Sequence, residues 1–175
     1  MARERHSPST MSMLEPREAE ILHVVQENLR LLAELRAGLR SHERGGPSGR
    51  QVKGPEDIFD LLQHEMAPLL QEQVRVVLLD TRNRVLDVVL VYQGNVRMAV
   101  IRPAEVFRDA MIANAPAVAV VHNHPSGDPE PSQEDLAITK HLAGAGELLG
   151  IELVDHVVIG HGDFVSLKRR DVLAA

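Results

Sequence analysis

The stretch HNHPSGDPEPSQED, residues 122–135, brings together two histidines one residue apart and a serine and an aspartate three residues apart. The apolar run AVAVV at 117–121 precedes it and reads as a short buried strand. In an extended segment, side chains at i and i+2 point the same way. His122 and His124 therefore reach a single point off the strand's C-terminal end, where sheet proteins often bind ligands. Pro125, Pro129 and Pro131 stiffen the connection and keep the next helix from starting early. Ser132 then stands at an N-cap position and Asp135 in the first helical turn, pointing back towards the strand end.

Two neutral imidazoles and one carboxylate form a three-ligand set. Catalytic zinc commonly has three such protein ligands and a water in the fourth position. The metal lowers the pKa of that water towards neutrality. A non-haem iron centre uses a related set of two histidines and a carboxylate. Ser132 and Asp135 also read as a capping box with Asp in the Glu place. The two readings are compatible, with Ser132 capping the helix while Asp135 binds metal.

The elements that must position these residues follow from periodicity and turn chemistry. Residues 1–15, polar and rich in Ser, Pro and Arg, read as a disordered leader. From Pro16 to about Arg40 the pattern is helical, with Val25, Leu32 and Leu39 at seven-residue spacing. That helix reads either as packing on the domain or as a homodimer seam through residues 16–40. A linker then leads to the main domain, so the expected organisation is 1–15, 16–53 and 54–175. A helix is expected from Pro55 to about Ala67, and strands over Val74–Leu79, Val85–Tyr92 and Val96–Ile101, the last two forming a hairpin around QGN. A helix starting at Pro103, the strand at 117–121, a helix after Ser132, and strands in IELVDHVVI and DFVSL complete the order. Hairpins and a helical crossover occur together, which argues for an α/β domain with a mixed sheet covered by helices.

The chain of 175 residues carries 44% hydrophobic and 25% charged residues, as a globular protein does. No apolar run approaches the roughly 20 residues needed to span a bilayer, and the N-terminus lacks a signal-peptide core. Cysteine is absent, which removes disulfides, thiolate ligands and a cysteine nucleophile. A cytoplasmic protein with no membrane partner fits these features. The formal net charge of −6, with basic residues scattered apart from KRR at 168–170, leans against nucleic acid as the main partner.

His-x-His, seven residues, Ser, two residues, Asp, here His122, His124, Ser132 and Asp135, resembles the JAMM motif of the JAB/MPN superfamily of zinc metalloproteases. HNHPSGDPEPSQED with DHVVIG, EQVRVVLLDTRNR, PAEVFRDAM and GDFVSL further resembles the RadC branch, over roughly residues 54–171. Members of that branch usually carry a helix-hairpin-helix region before this domain. Residues 1–53 lack its Gly-rich hairpins, so a DNA contact through such a region is not expected of them. The resemblance implies a cytidine-deaminase-like fold, a mixed sheet with helices on both faces. It also implies that His122, His124 and Asp135 bind Zn2+ and that Ser132 stabilises the tetrahedral oxyanion. It further implies a glutamate at the start of an early strand, hydrogen-bonded to the zinc water. Glu72 sits in the matching place. Glu105 competes for that role, but the helix dipole explains an acidic residue there. Asp155 and His156 read as polar groups behind the ligands, since such carboxylates often orient a ligating histidine. His161 reads as a solvated turn residue.

These observations favour a zinc-dependent hydrolase of peptide or isopeptide bonds, with a peptide or protein substrate. A catalytically silent MPN-type interaction module is disfavoured, because such modules tend to lose ligands and every motif position is present. A DNA-repair-associated nucleic-acid-binding protein or nuclease is suggested only by the branch name and the letters HNH. Deaminase chemistry in its usual form is excluded because its zinc thiolates are missing. If residues 16–40 form a dimer seam, removing residues 1–50 shifts the mass measured by light scattering from dimer to monomer while the domain stays folded. An unchanged mass assigns that segment to packing or to a leader.

Overall fold

The computed structural model describes residues 49–94 and 101–173. The expected leader, the helix at 16–40 and most of the expected strand at 96–101 lie outside the described residues. The first described helix, α1, spans Pro55–Met66. Pro55 at N1 supplies a preset φ and a missing N–H where none is needed. Asp57 reaches back to accept from the backbone amides of Lys53 at 2.7 Å and Gly54 at 3.2 Å. Strand β1, Glu72–Leu79, and strand β2, Val85–Gly94, form an antiparallel hairpin. Its turn is held by Asp80, whose Oδ1 accepts from the amides of Arg82 and Arg84, both at 2.8 Å. DTRNR is thus the turn of a hairpin, and the hairpin expected around QGN extends outside the described residues.

Helix α2, Pro103–Ala113, ends at Asn114 in the left-handed region, φ 53°, a conformation that Asn tolerates. Strand β3, Ala117–Asn123, is buried at all seven positions, as a central strand should be. It runs on past the expected end at Val121 and so includes His122. Helix α3, Gln133–Leu149, stops at Gly150 with φ 68°. Strands β4, Glu152–Ile159, and β5, Phe164–Ser166, complete the chain.

The sheet order is β2-β1-β3-β4-β5. Only β3 and β4 are parallel, because α3 crosses between them; the other pairs are antiparallel. Alternation along β1 and β3 sends Val74, Val76, Leu78, Val118 and Val120 to one face, where they pack with Phe107 of α2 and Ile138 and Leu142 of α3. Val77, Leu79, Ala119 and Val121 go to the other face, against Ile58, Phe59, Leu62 and Met66 of α1. Helices therefore cover both faces of a mixed sheet. The core is aliphatic, and its only aromatic stack among the described residues joins Phe59 to Phe164 at 4.8 Å.

Two glycines in α3 separate propensity from packing. A Cβ on Gly144 would meet nothing within 4 Å, whereas one on Gly146 would lie 2.5 Å from the Ile151 carbonyl oxygen and 3.2 Å from the Phe107 ring. Alanine in a helix interior is favoured over glycine by about 0.5–1 kcal/mol. Overpacking costs about 1–3 kcal/mol. Gly144→Ala should therefore raise stability by about 0.5–1 kcal/mol in urea unfolding. Gly146→Ala should lower it, because its clash outweighs the same gain.

Candidate metal centre

The site forms where β3 leaves the sheet. His122, fully buried, shares the α3 face with Val118 and Val120. His124 follows two residues on, its side chain 19% exposed. The chain then turns back, the Gly127 amide donating to the His124 carbonyl at 2.9 Å. Gly127 has φ 86°, and a Cβ there would run into the His161 ring. That turn aims the Asp128 carbonyl at His124 Nδ1, 2.8 Å away. His161 itself is exposed, and its backbone amide donates to the Gly127 carbonyl.

Ser132 caps α3: its Oγ accepts from the Asp135 amide at 3.2 Å. The Ser132 amide and hydroxyl each donate to Asp135 Oδ2 at 2.7 Å. The Asp135 carboxylate is thereby fixed in a buried position facing both imidazoles. Its Oδ1 lies 3.4 Å from His122 Nε2, and its Oδ2 lies 3.6 Å from His124 Nε2. The two Nε2 atoms are 3.1 Å apart.

The protons on these rings can be assigned from their partners. A carbonyl oxygen only accepts, so His124 Nδ1 carries its hydrogen and a neutral ring leaves Nε2 bare. Thr139 Oγ1 donates to the Asp135 carbonyl and lies 2.5 Å from His156 Nδ1, so it must accept there. Neutral His156 then has a bare Nε2, which accepts from His122 Nδ1 at 2.8 Å. His122 Nε2 is left as a lone pair. Burial, the largest cause, together with the nearby His122, holds the His156 pKa well below its usual value, so the neutral ring is the stable form.

Three electron-pair donors thus converge without a hydrogen between them. Burial would push the Asp135 carboxyl up, but His122, His124 and Ser132 hold it far below the usual carboxylate range. The His124 pKa is raised, chiefly by its contact with Asp135. Both shifts arise from the same contacts between the Asp135 carboxylate and the imidazoles. A tetrahedral ion with bonds of about 2.0–2.2 Å needs donors about 3.3–3.5 Å apart; here the two Nε2 atoms are 3.1 Å apart, and Asp135 lies 3.4 Å from His122 Nε2 through Oδ1 and 3.6 Å from His124 Nε2 through Oδ2. The residues fit a metal ion, and His122, His124 and Asp135 form the one such group among the described residues.

The remaining sequence candidates divide. Glu72 opens β1 on the face that carries Val74, which pairs with His122. It is half-buried. Burial chiefly raises its pKa; the neighbouring His122 and His124 oppose the rise and Asp135 adds to it. Glu105 instead caps α2 and pairs with Arg102 at 2.6 Å, on an exposed surface. His156 touches His122. Asp155 does not reach the ligands: its neighbour in sequence faces α3, so Asp155 points to the other face, where it accepts from Ser166 Oγ at 2.6 Å and from the amides of His156 and Lys168. Sequence reasoning missed Thr139, the Asp128 carbonyl and Asn123. Thr139 had a signal, a hydroxyl four residues after Asp135 on the apolar face of Ile138 and Leu142. The Asp128 carbonyl had none, being backbone placed by a turn.

A mixed-sheet α/β domain with a His, His, Asp cluster at the end of its central strand is the class that fold and site define. The family model for the RadC-like JAB domain matches residues 52–172, and the chain belongs to that family. The chain is 45% identical over 140 residues to a UPF0758 protein of Roseiflexus castenholzii, a match covering 80% of this chain and 60% of the relative. It is 50% identical over 119 residues to one of Chloroflexus aurantiacus, covering 68% and 52%. It is 43% identical over 123 residues to one of Clostridium beijerinckii, covering 70% and 54%. The matched part thus spans between half and two thirds of these curated relatives.

Thr139→Val should lower metal affinity roughly 10–100-fold in chelator competition, the usual effect of losing a group that orients a ligand. His122→Ala or Asp135→Ala should lose most of the metal. Protons compete with the metal for His124 Nε2. Because its pKa is raised in the metal-free site, affinity should fall as pH drops, starting above the free-histidine value of about 6.5.

Proposed function

We propose that the chain is a zinc-dependent hydrolase of peptide or isopeptide bonds. The observation that carries this reading is the convergence of His122 Nε2, His124 Nε2 and an Asp135 oxygen as unprotonated donors beside a half-buried carboxylate, Glu72. Zinc in this set supplies a Lewis acid for the carbonyl and acidifies a water molecule towards neutral pH. Glu72 takes the proton of the attacking water on its carboxylate and returns it to the leaving amine. Its raised pKa moves it towards the working pH, which suits a group that must both accept and donate. Ser132 is the hydroxyl beside the carboxylate ligand. To meet an oxyanion its hydrogen turns away from Asp135 Oδ2, which keeps the Ser132 amide as a donor.

A peptide-type substrate is favoured over nucleic acid by the fate of the basic run at 168–170. Arg169 pairs with Glu56 at 2.6 Å and Arg170 with Glu130. Two of its three cations are thus offset by carboxylates, which leaves little to neutralise phosphates. No described helix is long and apolar enough to cross a membrane.

Elemental analysis of undialysed protein should find about one zinc per subunit; stoichiometric iron overturns the choice of metal. With a substrate found from a peptide and isopeptide panel, Glu72→Gln should retain zinc and lose hydrolysis by roughly 10²–10⁴-fold. Glu105→Gln should change little. An active Glu72→Gln with a dead Glu105→Gln overturns the assignment of the base. A zinc-loaded protein that cleaves nothing across a broad panel overturns the hydrolase.

A further inference from the structure

Asn123, between the two histidine ligands, is fully buried and points away from them. Pairing of β1 with β3 ends at Val74 and His122. One residue further on, β3 stays with β4, Asn123 pairing with Ile159. Where β1 and β3 part, the Asn123 side chain replaces the missing rung. Its Oδ1 accepts from the Gln73 amide at 2.8 Å, and its Nδ2 donates to the Gln71 carbonyl at 3.2 Å. These two backbone groups flank Glu72. On the same face as Asn123, Gln73 is held by Gln93 at 3.2 Å and by Arg75 at 3.1 Å, and Arg75 pairs with Glu65 of α1.

We infer that Asn123 is a positioning residue that locks the peptide on both sides of Glu72 and so sets the carboxylate over the metal centre. This rests on the reading of Glu72 as the base. A primary amide suits the position because one end must accept and the other donate. The metal ligands are held independently, by Thr139 and His156, by the Asp128 carbonyl and by Ser132. Loss of the clamp therefore leaves metal binding in place and acts through Glu72 alone.

The test uses the full chain loaded with cobalt(II) or zinc, carrying Asn123→Ala, Glu72→Gln or both. Asn123→Ser, whose hydroxyl admits a bridging water, replaces Asn123→Ala if the latter does not fold. Asn123→Ala should take up metal as the unmodified protein does. The Gln73 amide should exchange with solvent at least about tenfold faster while amides of Val76 and Val120 keep their protection. Hydrolysis should fall, and the double variant should be no slower than Glu72→Gln alone. Additive losses, unchanged Gln73 protection or loss of metal would each overturn the inference. If the unmodified protein cleaves nothing, the hydrolase proposal falls by itself and the cobalt visible spectrum decides this one. A shared shift in Asn123→Ala and Glu72→Gln, with no further shift in the double variant, upholds it; an Asn123→Ala spectrum like that of the unmodified protein sinks it.

Discussion

The hydrogen-bond chain from His122 through His156 and Thr139 to the Asp135 carbonyl governs the site. Each link has only one consistent donor direction, because it ends on a carbonyl oxygen that can only accept. The chain therefore dictates which ring nitrogen of His122 is bare. It also closes on itself, starting at one candidate ligand and ending on the backbone of another. Without it, either tautomer of a buried imidazole would be available, and a hydrogen on Nε2 would block the centre.

The fold is arranged to make that chain possible. His122 and His156 must meet across neighbouring strands, and Thr139 must reach down from a helix lying over them. A parallel pair with its crossover helix does both: β3 carries the first histidine, α3 the aspartate and threonine, and β4 the second histidine. The spacing of Asp135 and Thr139 is one helical turn, so the carbonyl of the first lies within reach of the hydroxyl of the second. The apolar core on that face, from Val118 to Leu142, excludes the water that would otherwise compete for these polar groups.

Much of this was legible in the sequence, for identifiable reasons. The candidate ligand cluster was visible because metal chemistry demands particular residue types and strands and helix caps impose fixed spacings. The order of helices and strands was visible because an aliphatic core writes its periodicity plainly and Pro, Gly and Asn punctuate it. The element ends were less so: β1 starts at Glu72 and β3 runs to Asn123, because pairing partners rather than local preference decide where a strand stops. Asp155 and His156 looked alike as a polar pair before a β-branched run. Alternation sends them to opposite faces, and only the register with β3 shows which one meets His122. Asn123 was hidden between two more conspicuous residues, since its role depends on a gap between strands that are far apart in sequence.

On the proposed hydrolase reading, the site separates two requirements that must be satisfied together. Donor atoms must be rigid, or the ion is held loosely; the base must stand at a set distance from a water that only the ion positions. Here the donors belong to β3, α3 and the turn between them, and are braced by β4. Glu72 belongs to β1, which diverges from β3 at this end. β1 stays paired with β2 at Glu72 and Gln73, but on its β3 side the Gln73 amide and the Gln71 carbonyl would otherwise turn to solvent. The side-chain amide of Asn123 prevents that while keeping the strands a side chain's length apart. The parting of β1 from β3 and the bonds that flank Glu72 therefore meet at one residue, Asn123, which stands where an ordinary rung would otherwise draw the two strands together.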